Sequence, residues 1–319
     1  MKLKALSHYN NDLDTRFGDC ILLYDSKRLI VYDCGHEKHA QAVVDFLKRH
    51  STINYVNVVV SHNDSDHTDG VVTLFDYLYI NRSNYTTKLY SSLYLKDVKE
   101  VLELLDDDRR NPDSTKQNIL KIFDKIKLIV EKAQEYNFSV INAEIGTSIE
   151  SATIVGPKKD EFVNVVAQAI KDGNTTKIEG ETVMNAASIQ IKCKLNNGQI
   201  VLLCGDASPS YIHKPDNYDI IQLPHHGQLA DAEIIFEKLD NAGNKLFLVS
   251  DNTGSGEKSG GSDNLEKSHD RKAKRIKNTK NGIVELPEVS IYEGGDSITA
   301  SGIIIPSNQK TGGYGCDIL

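Results

Sequence analysis

The stretch Val60-Ser61-His62-Asn63-Asp64-Ser65-Asp66-His67-Thr68-Asp69-Gly70 decides the fold. It follows Tyr55 to Val60, a nearly continuous β-branched run that predicts a buried strand. Alternate residues of an extended segment point the same way, so side chains at a strand end can converge as metal ligation requires. A solvated polar turn is the alternative, but four crowded ionisable groups favour a bound cation. These four candidate ligands are His62, Asp64, Asp66 and His67.

Two later strand-like segments also end in candidate ligands. Val201 to Leu203 runs into Gly205-Asp206, and Ile220 to Leu223 runs into Pro224-His225-His226-Gly227. A Gly-Asp turn alone is common, but three strand ends that all offer His or Asp are hard to assign to chance. We expect the three ends to meet at one edge of a sheet, where Asp206 can bridge two metal ions.

The composition is that of an ordinary soluble globular protein: 319 residues, 39% apolar and 26% charged. The formal net charge of −8 gives no overall attraction to nucleic acid or to an anionic membrane. Any phosphate binding must therefore come from a local patch or from metal. The five cysteines form no Cys-x-x-Cys pair, which favours buried free thiols over a disulfide framework. The sequence shows neither the apolar core of a signal peptide nor a membrane-spanning run, so a cytoplasmic location is the default expectation.

The order of elements predicts a single mixed α/β domain over 1–319. Cys20 to Tyr24 and Arg28 to Tyr32 predict a hairpin, and helical spacing follows from His39 to Arg49. Helices are predicted at Val98 to Leu105 and Asn118 to Tyr136, inside a helical insertion over 93–137. We expect a flexible, basic segment at 252–281 and a flexible tail at 306–319. Further strands are predicted at 151–155, 187–195, 200–203, 220–223, 245–250, 283–286, 289–292 and 298–305.

The sequence has one strand-rich half before the predicted helices and another after them. This order fits either a doubly wound sheet or an αββα sandwich. The motifs decide between them, because the sequence resembles the metallo-β-lactamase superfamily and, within it, the hydrolase domain of the ComEC-like DNA-uptake competence proteins. The resemblance covers roughly residues 15–290 and implies the αββα sandwich with a helical insertion. Asp64 replaces a histidine of the wider superfamily, a change that the competence-type branch shares. The matching segments are Gly18 to Leu23, Val31 to Gly35, Ser61 to Gly70, Asn185 to Ser188, Gly205-Asp206 and Pro224 to Gly227.

The same resemblance implies the roles of the site residues. Two divalent ions, Zn²⁺ or Mn²⁺, would lie about 3.5–4 Å apart and hold an activated hydroxide, with the oxygen-rich ligand set favouring Mn²⁺. Asp66 would orient this nucleophile. His226, if it is not itself a ligand, would donate a hydrogen bond to developing negative charge, protonate the leaving group or support a ligand. Asp33 would anchor a ligand histidine, and Asn185, Ser188 or water would fill the place of a missing third histidine. The implied metal ligands are His62, Asp64, Asp66, His67, Asp206 and His225.

The resemblance points to a phosphodiester substrate, with nucleic acid as the first choice. Seven basic residues between Lys267 and Lys280 form either a phosphate-steering patch or a solvated helix face. A hydrolase of another ester, lactone or thioester is the first alternative. A partner-binding subunit of a larger assembly is the second, and a homo-oligomer fits either. The candidate substrate-binding residues are Arg271, Lys272, Lys274 and Arg275.

Overall fold

The computed structural model describes residues 1–6, 18–92, 98–105, 111–172, 177–178, 181–252, 262–268, 275–288, 291–293 and 296–298. Three predicted features fall outside the described residues, wholly or in part. They are the tail at 306–319, the start of the helical insertion at 93–97, and the basic residues Arg271, Lys272 and Lys274.

Seven strands form the first sheet, in the spatial order β16-β1-β2-β3-β4-β5-β6 when strands are numbered along the chain: β1 (Lys2–Ala5), β2 (Ile21–Tyr24), β3 (Arg28–Tyr32), β4 (Tyr55–Val59), β5 (Thr86–Ser91), β6 (Ser139–Asn142) and β16 (Val284–Leu286). Strands β3 to β6 are parallel neighbours, so all four end at the same edge of the sheet. The residues after β4, which include Ser61 and His62, therefore lie at this edge.

The second sheet also has seven strands, in the order β15-β14-β13-β12-β11-β8-β7: β7 (Ser148–Ile149), β8 (Ala152–Gly156), β11 (Gln190–Lys194), β12 (Ile200–Leu203), β13 (Ile220–Gln222), β14 (Leu246–Val249) and β15 (Arg275–Asn278). Strands β12 to β15 are parallel, which brings the segments after β12 and β13 to one edge. Two further pairs of short strands are β9 (Lys177–Ile178) with β10 (Glu181–Thr182), and β17 (Ile291–Glu293) with β18 (Asp296–Ile298).

The two sheets pack face to face between layers of helices. Ile30 and Tyr32 of the first sheet share a buried cluster with Ile191 and Leu203 of the second. The outer face of the first sheet is covered by a cluster that includes α1, α3 and α6, and the outer face of the second by α9 and α10. The helices are α1 (Glu37–Arg49), α2 (Ser65–Thr68), α3 (Val71–Ile80), α4 (Val98–Leu105), α5 (Pro112–Ile122), α6 (Asp124–Glu135), α7 (Lys159–Asp172), α8 (Val183–Ala186), α9 (Leu229–Glu237) and α10 (Asp263–Lys267).

This layering confirms the predicted αββα sandwich and rules out a single doubly wound sheet. The predicted helix at 118–136 differs in detail, because α5 already begins at Pro112 and the chain breaks at Phe123 before α6. Proline fits the first turn of a helix, and Asn111 forms a capping box with Ser114. Helices α4 and α5 pack against α7, and α6 packs against α3. The single domain with an insertion at 93–137 stays a prediction.

The structure bears on two expectations from the sequence, one about membrane-spanning segments and one about the cysteines. Among the described segments, no helix combines the length and the apolar character that crossing a membrane requires. Four cysteines are buried free thiols, as predicted for Cys20, Cys193 and Cys204 and as found also for Cys34.

The side chain of Asn63 connects the His62–His67 loop to helix α6. Its Oδ1 accepts hydrogen bonds from the backbone amides of Lys125 (3.1 Å) and Ile126 (2.9 Å), at the start of the helix. The Lys125 ammonium in turn donates to Asp69 (2.6 Å). Asn63 therefore caps a helix that is distant in sequence and holds α6 against the ligand loop.

We expect Asn63→Ala to lower the free energy of unfolding by about 1 kcal/mol, because the first amides of α6 lose their acceptor. Urea denaturation followed by circular dichroism measures this change. Asn244→Ala, at an exposed asparagine, is the control and should change stability by less than about 0.5 kcal/mol. Equal effects of the two substitutions would show that the cap contributes nothing.

Candidate metal centre

The candidate ligands come from strand ends of both sheets. The loop after β4 carries His62 and continues into α2 with Asp66 and His67; β12 is followed by Asp206, and β13 by His226. A backbone hydrogen bond from the Ile189 amide to the Ser61 carbonyl (3.0 Å) joins the two sheets at this point. At the edge of the first sheet, the Asp19 amide donates to the Asp66 carbonyl (2.8 Å).

The Asp206 carboxylate lies at the centre of this group. Its oxygens are 3.8 Å from His62 Nε2, 3.4 Å from His67 Nε2 and 3.7 Å from His226 Nε2. Asp206 and the three histidines are each less than 5% exposed. Three imidazole nitrogens and one carboxylate therefore converge within a buried space.

The opposite nitrogen of each imidazole is held by another side chain. His67 Nδ1 donates to Asp33 Oδ2 (2.8 Å), and His226 Nδ1 donates to Asp19 Oδ1 (3.0 Å). His62 Nδ1 lies 2.9 Å from Ser61 Oγ. A carboxylate on the far nitrogen of a histidine is the usual second partner of a metal-ligating imidazole, because it fixes the ring and makes it more basic.

Three buried atoms of the group have no hydrogen-bond partner among the described residues: His62 Nε2, His67 Nε2 and Asp206 Oδ1. Leaving such atoms buried and unpaired costs free energy. All three face the same point, and each is a good ligand atom for a divalent cation. Two sets of side chains have ligand atoms close enough to share an ion, namely Asp19, His67 and His226, and His62, His67 and Asp206.

The charges of the group favour a cation. Burial by itself lowers the pKa of His67, but Asp206 and Asp33 outweigh burial and raise it well above its usual value. Asp206 and Asp19 raise the pKa of the buried His226 in the same way. Burial raises the pKa of Asp206, yet His226 and His67 bring it down to about 2. The carboxylates thus stabilise positive charge at this position.

The two acidic residues of the ligand loop are each held by an asparagine. Asn185 Nδ2 donates to Asp64 Oδ2 (2.9 Å), and Asn252 Nδ2 donates to Asp66 Oδ2 (2.5 Å). Asp66 Oδ2 is also 3.2 Å from His226 Nε2. Asp66 therefore faces the ring of His226. Burial by itself raises the pKa of Asp66, but the hydrogen bond with His226 and the charge of His67 outweigh burial, so the net effect is a lowered pKa.

Two adjacent histidines follow β13, and the structure orients them differently. His226 faces Asp206 and Asp66, whereas the His225 ring is 24% exposed and its Nδ1 is 3.9 Å from Asp231 Oδ2. Burial, and the neighbouring charge of His226, lower the pKa of His225 to about 3. The sequence predicted His225 as the ligand and His226 as the catalytic residue, while the geometry brings His226 into the group.

Of the other residues predicted from the sequence, some lie at the candidate metal centre and some lie elsewhere in the fold. Asp33 accepts from the Ser61 amide and hydroxyl (both 2.7 Å) as well as from His67. Ser188 Oγ donates to the Asn185 carbonyl (2.7 Å), so it supports the segment that carries Asn185. Arg275 is exposed at the amino end of β15, whereas the candidate ligands follow the carboxyl ends of the neighbouring parallel strands.

Three residues that support the group had no role predicted from the sequence. Asp19 holds His226, Gln222 donates to Asp19 Oδ2 (2.5 Å), and Asn252 holds Asp66. Asp19 lies just before β2, within the Gly18 to Leu23 segment, and an acidic residue in that position is itself a signal. Nothing local in the sequence distinguishes Gln222 or Asn252.

The sequence matches no family model and no curated protein. Solved structures of metallo-β-lactamase-fold proteins give matches of low similarity. The metallo-β-lactamase-fold protein YhfI from Bacillus subtilis is 12% identical with a TM-score of 0.48, and the match covers 89% of this chain and 100% of that one. A candidate metallo-β-lactamase from Thermotoga maritima is 13% identical with a TM-score of 0.33, covering 64% and 76%. These values carry no functional inference, so the function must be inferred from the side chains described above.

The adjacent histidines provide a test of the ligand set. We expect His226→Ala to remove one metal equivalent, because its Nε2 faces Asp206 and Asp66, and His225→Ala to retain the metal content of the unmodified chain. Metal-to-protein ratios after dialysis, measured by inductively coupled plasma mass spectrometry, check this. Loss of metal in His225→Ala with retention in His226→Ala would instead support the ligand predicted from the sequence.

Gly18 allows the close approach that positions Asp66. Its φ is +65°, and a Cβ there would lie 1.7 Å from the Asp66 carbonyl oxygen. We expect Gly18→Ala to destabilise the fold by more than the roughly 1–3 kcal/mol of a strained backbone conformation. Gly146→Ala is the matched control, because its φ is +89° and open space surrounds it. Urea denaturation of both variants measures the difference, and equal losses would show that contact with Asp66 has no effect.

Proposed function

We propose that the chain is a metal-dependent hydrolase with a phosphodiester substrate. The observation that carries the proposal is the convergence of His62 Nε2, His67 Nε2 and Asp206 Oδ1, which are buried and have no hydrogen-bond partner within the described chain. In a polar turn that binds no metal, other polar groups or water would form hydrogen bonds with these atoms. Their burial around one point is what a cation site requires.

The donor set fits divalent metal. His62, His67 and Asp206 would hold one ion, with Asp64 at its solvent side. Asp66 and His226 would hold the second, with Asp206 shared between the two. Mixed imidazole and carboxylate donors suit Zn²⁺ or Mn²⁺. When bound, such ions polarise the scissile group and supply a nucleophile at neutral pH.

The protein side chains orient this chemistry. Asp33 and Asp19 fix the rings of His67 and His226, so the nitrogens that face inward are defined before substrate binds. Asp66 stays ionised, because its pKa is lowered, and it accepts a hydrogen bond from the attacking water. We assign His226 to ligation rather than to proton donation, since both of its nitrogens face carboxylates.

The net charge of the chain and the chemistry of the candidate metal ligands support a phosphodiester as the substrate class. The chain has a net charge of −8, so attraction of a phosphate must be local. An oxygen-rich site with two metal ions is the arrangement that clamps the oxygens of a phosphodiester during in-line displacement. The resemblance of Ser61 to Gly70 to the competence-type hydrolases favours nucleic acid among phosphodiesters. Steering by the basic residues around 271–275 stays a prediction.

The metal-loaded chain should hydrolyse bis(p-nitrophenyl) phosphate. Protein stripped with chelator should be inactive and should regain activity with Mn²⁺ or Zn²⁺. Asp206→Asn should reduce kcat/KM by more than ~100-fold, which exceeds the usual effect of losing a supporting partner. Release of p-nitrophenolate measures the rate. Asp113→Asn, at an exposed aspartate of α5, is the control and should retain full activity.

Parallel assays separate the alternatives. Single-stranded DNA and RNA test the nucleic-acid preference, while p-nitrophenyl acetate and a simple lactone test the other ester classes. Bound metal with turnover of the esters but of no phosphodiester would transfer the proposal to that second class. A chain that binds no metal would exclude both hydrolase classes and leave the partner-binding role.

A further inference from the structure

A cavity of about 390 Å³ opens beside the candidate metal centre. Ser92 follows β5 and Asn142 ends β6, two strands that run parallel to β4, so both residues lie at the edge of the first sheet that carries His62. On the other side, Pro157 follows β8 and Ile189 precedes β11, which pairs with β8 at the corresponding edge of the second sheet. The cavity thus lies between the two sheets at their site-bearing edge.

The segment 185–189 separates the cavity from the metal centre. Its first residue, Asn185, donates to Asp64, and its last, Ile189, donates its amide to the carbonyl of Ser61, next to His62. Ala187 and Ile189 line the cavity. A group bound in the cavity is therefore separated from the ligand loop by the thickness of one segment.

The walls of the cavity are mainly apolar, with a polar region on one side. Phe162, in the first turn of α7, and Ile145, whose side chain is 50% exposed, offer apolar surface that the core does not fully cover. On the polar side, Asn142 Nδ2 donates to Glu144 Oε1 (2.5 Å), and Ser92 and Lys159 also line the cavity. An apolar lining with a few polar groups is the general pattern of a small-molecule pocket. The apolar lining residues are Ala143, Ile145, Pro157, Phe162, Ala187 and Ile189.

We propose that this cavity is a base cavity, in which one nucleobase of the phosphodiester substrate stacks on Phe162. This proposal rests on the proposed function. The volume lies near the lower end of the range of ligand pockets, about 300–1,000 Å³, so it accepts one base with its sugar and excludes a duplex. An alkyl chain would cover the Asn142–Glu144 pair without replacing its contacts with water, at a cost in free energy. The edge of a base carries donors and acceptors that replace those contacts.

Binding to the metal-free chain tests the base cavity without relying on activity. Isothermal titration with thymidine 5′-monophosphate and adenosine 5′-monophosphate should show saturable binding, weakened roughly tenfold by Phe162→Ala, because stacking on one base contributes about 1–3 kcal/mol. Phe162 also packs near Phe123, with ring centroids 6.0 Å apart. Phe162→Leu, which keeps apolar bulk, and Ile145→Ala therefore provide variants that preserve the fold. Ile80→Ala, at a 75% exposed residue of α3, is the control and should bind as the unmodified chain does.

Two results would overturn the base cavity. One is nucleotide binding that is equal in the unmodified chain and in Phe162→Leu and Ile145→Ala. The other is tighter binding of octyl phosphate than of either nucleotide with the same dependence on Phe162, which would identify an alkyl pocket.

Kinetics separate this proposal from the proposed function. The ratio of kcat/KM for the p-nitrophenyl ester of thymidine 5′-monophosphate to that for methyl p-nitrophenyl phosphate should fall roughly tenfold in Phe162→Leu. An unchanged ratio would count against the base cavity. If the unmodified chain binds nucleotides through Phe162 but hydrolyses neither ester, the hydrolase proposal fails while the base cavity stands.

Discussion

Asp206 lies where the inner nitrogens of three buried histidines converge, and the surrounding structure is arranged to satisfy this group. Moving carboxylates and imidazoles out of water costs several kcal/mol for each ion unless other charges or hydrogen bonds compensate it. Asp33, Asp19 and Ser61 compensate the outer nitrogens. The proposed divalent cation would compensate the inner atoms, and metal binding would then be linked to folding stability.

Two residues that follow the strands and support this group have strained backbone conformations. Asp33 follows β3 with a φ of 59°, and His226 follows β13 with a φ of 55°. A left-handed conformation at a non-glycine residue costs roughly 1–3 kcal/mol and persists only where neighbouring structure enforces it. Here both residues turn sharply after a buried strand, which directs their side chains into the junction between the sheets. The two packed sheets thus hold a geometry that the isolated segments would avoid.

Local sequence patterns sufficed for some of these features and not for others. Strand β4 and the histidines after it were predictable, because a β-branched run ending in His and Asp is a local signal. Helix α3 was not, because the sequence VVTLFDYLYI is apolar on nearly every side and lacks a clear period. Asp19 contacts His226 across 207 residues and Asn252 contacts Asp66 across 186. Such contacts depend on the pairing of the two sheets, and the choice between His225 and His226 depends on one backbone turn, so neither follows from spacing along the chain.

Different elements form the candidate metal centre and the proposed base cavity. The candidate metal centre is built from the ends of β4, β12 and β13, whereas the cavity adds α7 and the residues after β5 and β6. Among the residues that the structure describes, the segment 185–189 belongs to both. Substitutions in α7 can therefore alter the cavity while leaving the carboxylates and imidazoles in place, which is how one fold hosts different substrates around one chemistry. Helix α6 differs from α7, because Asn63 of the ligand loop caps it, so α6 is joined by hydrogen bonds to the segment between His62 and His67.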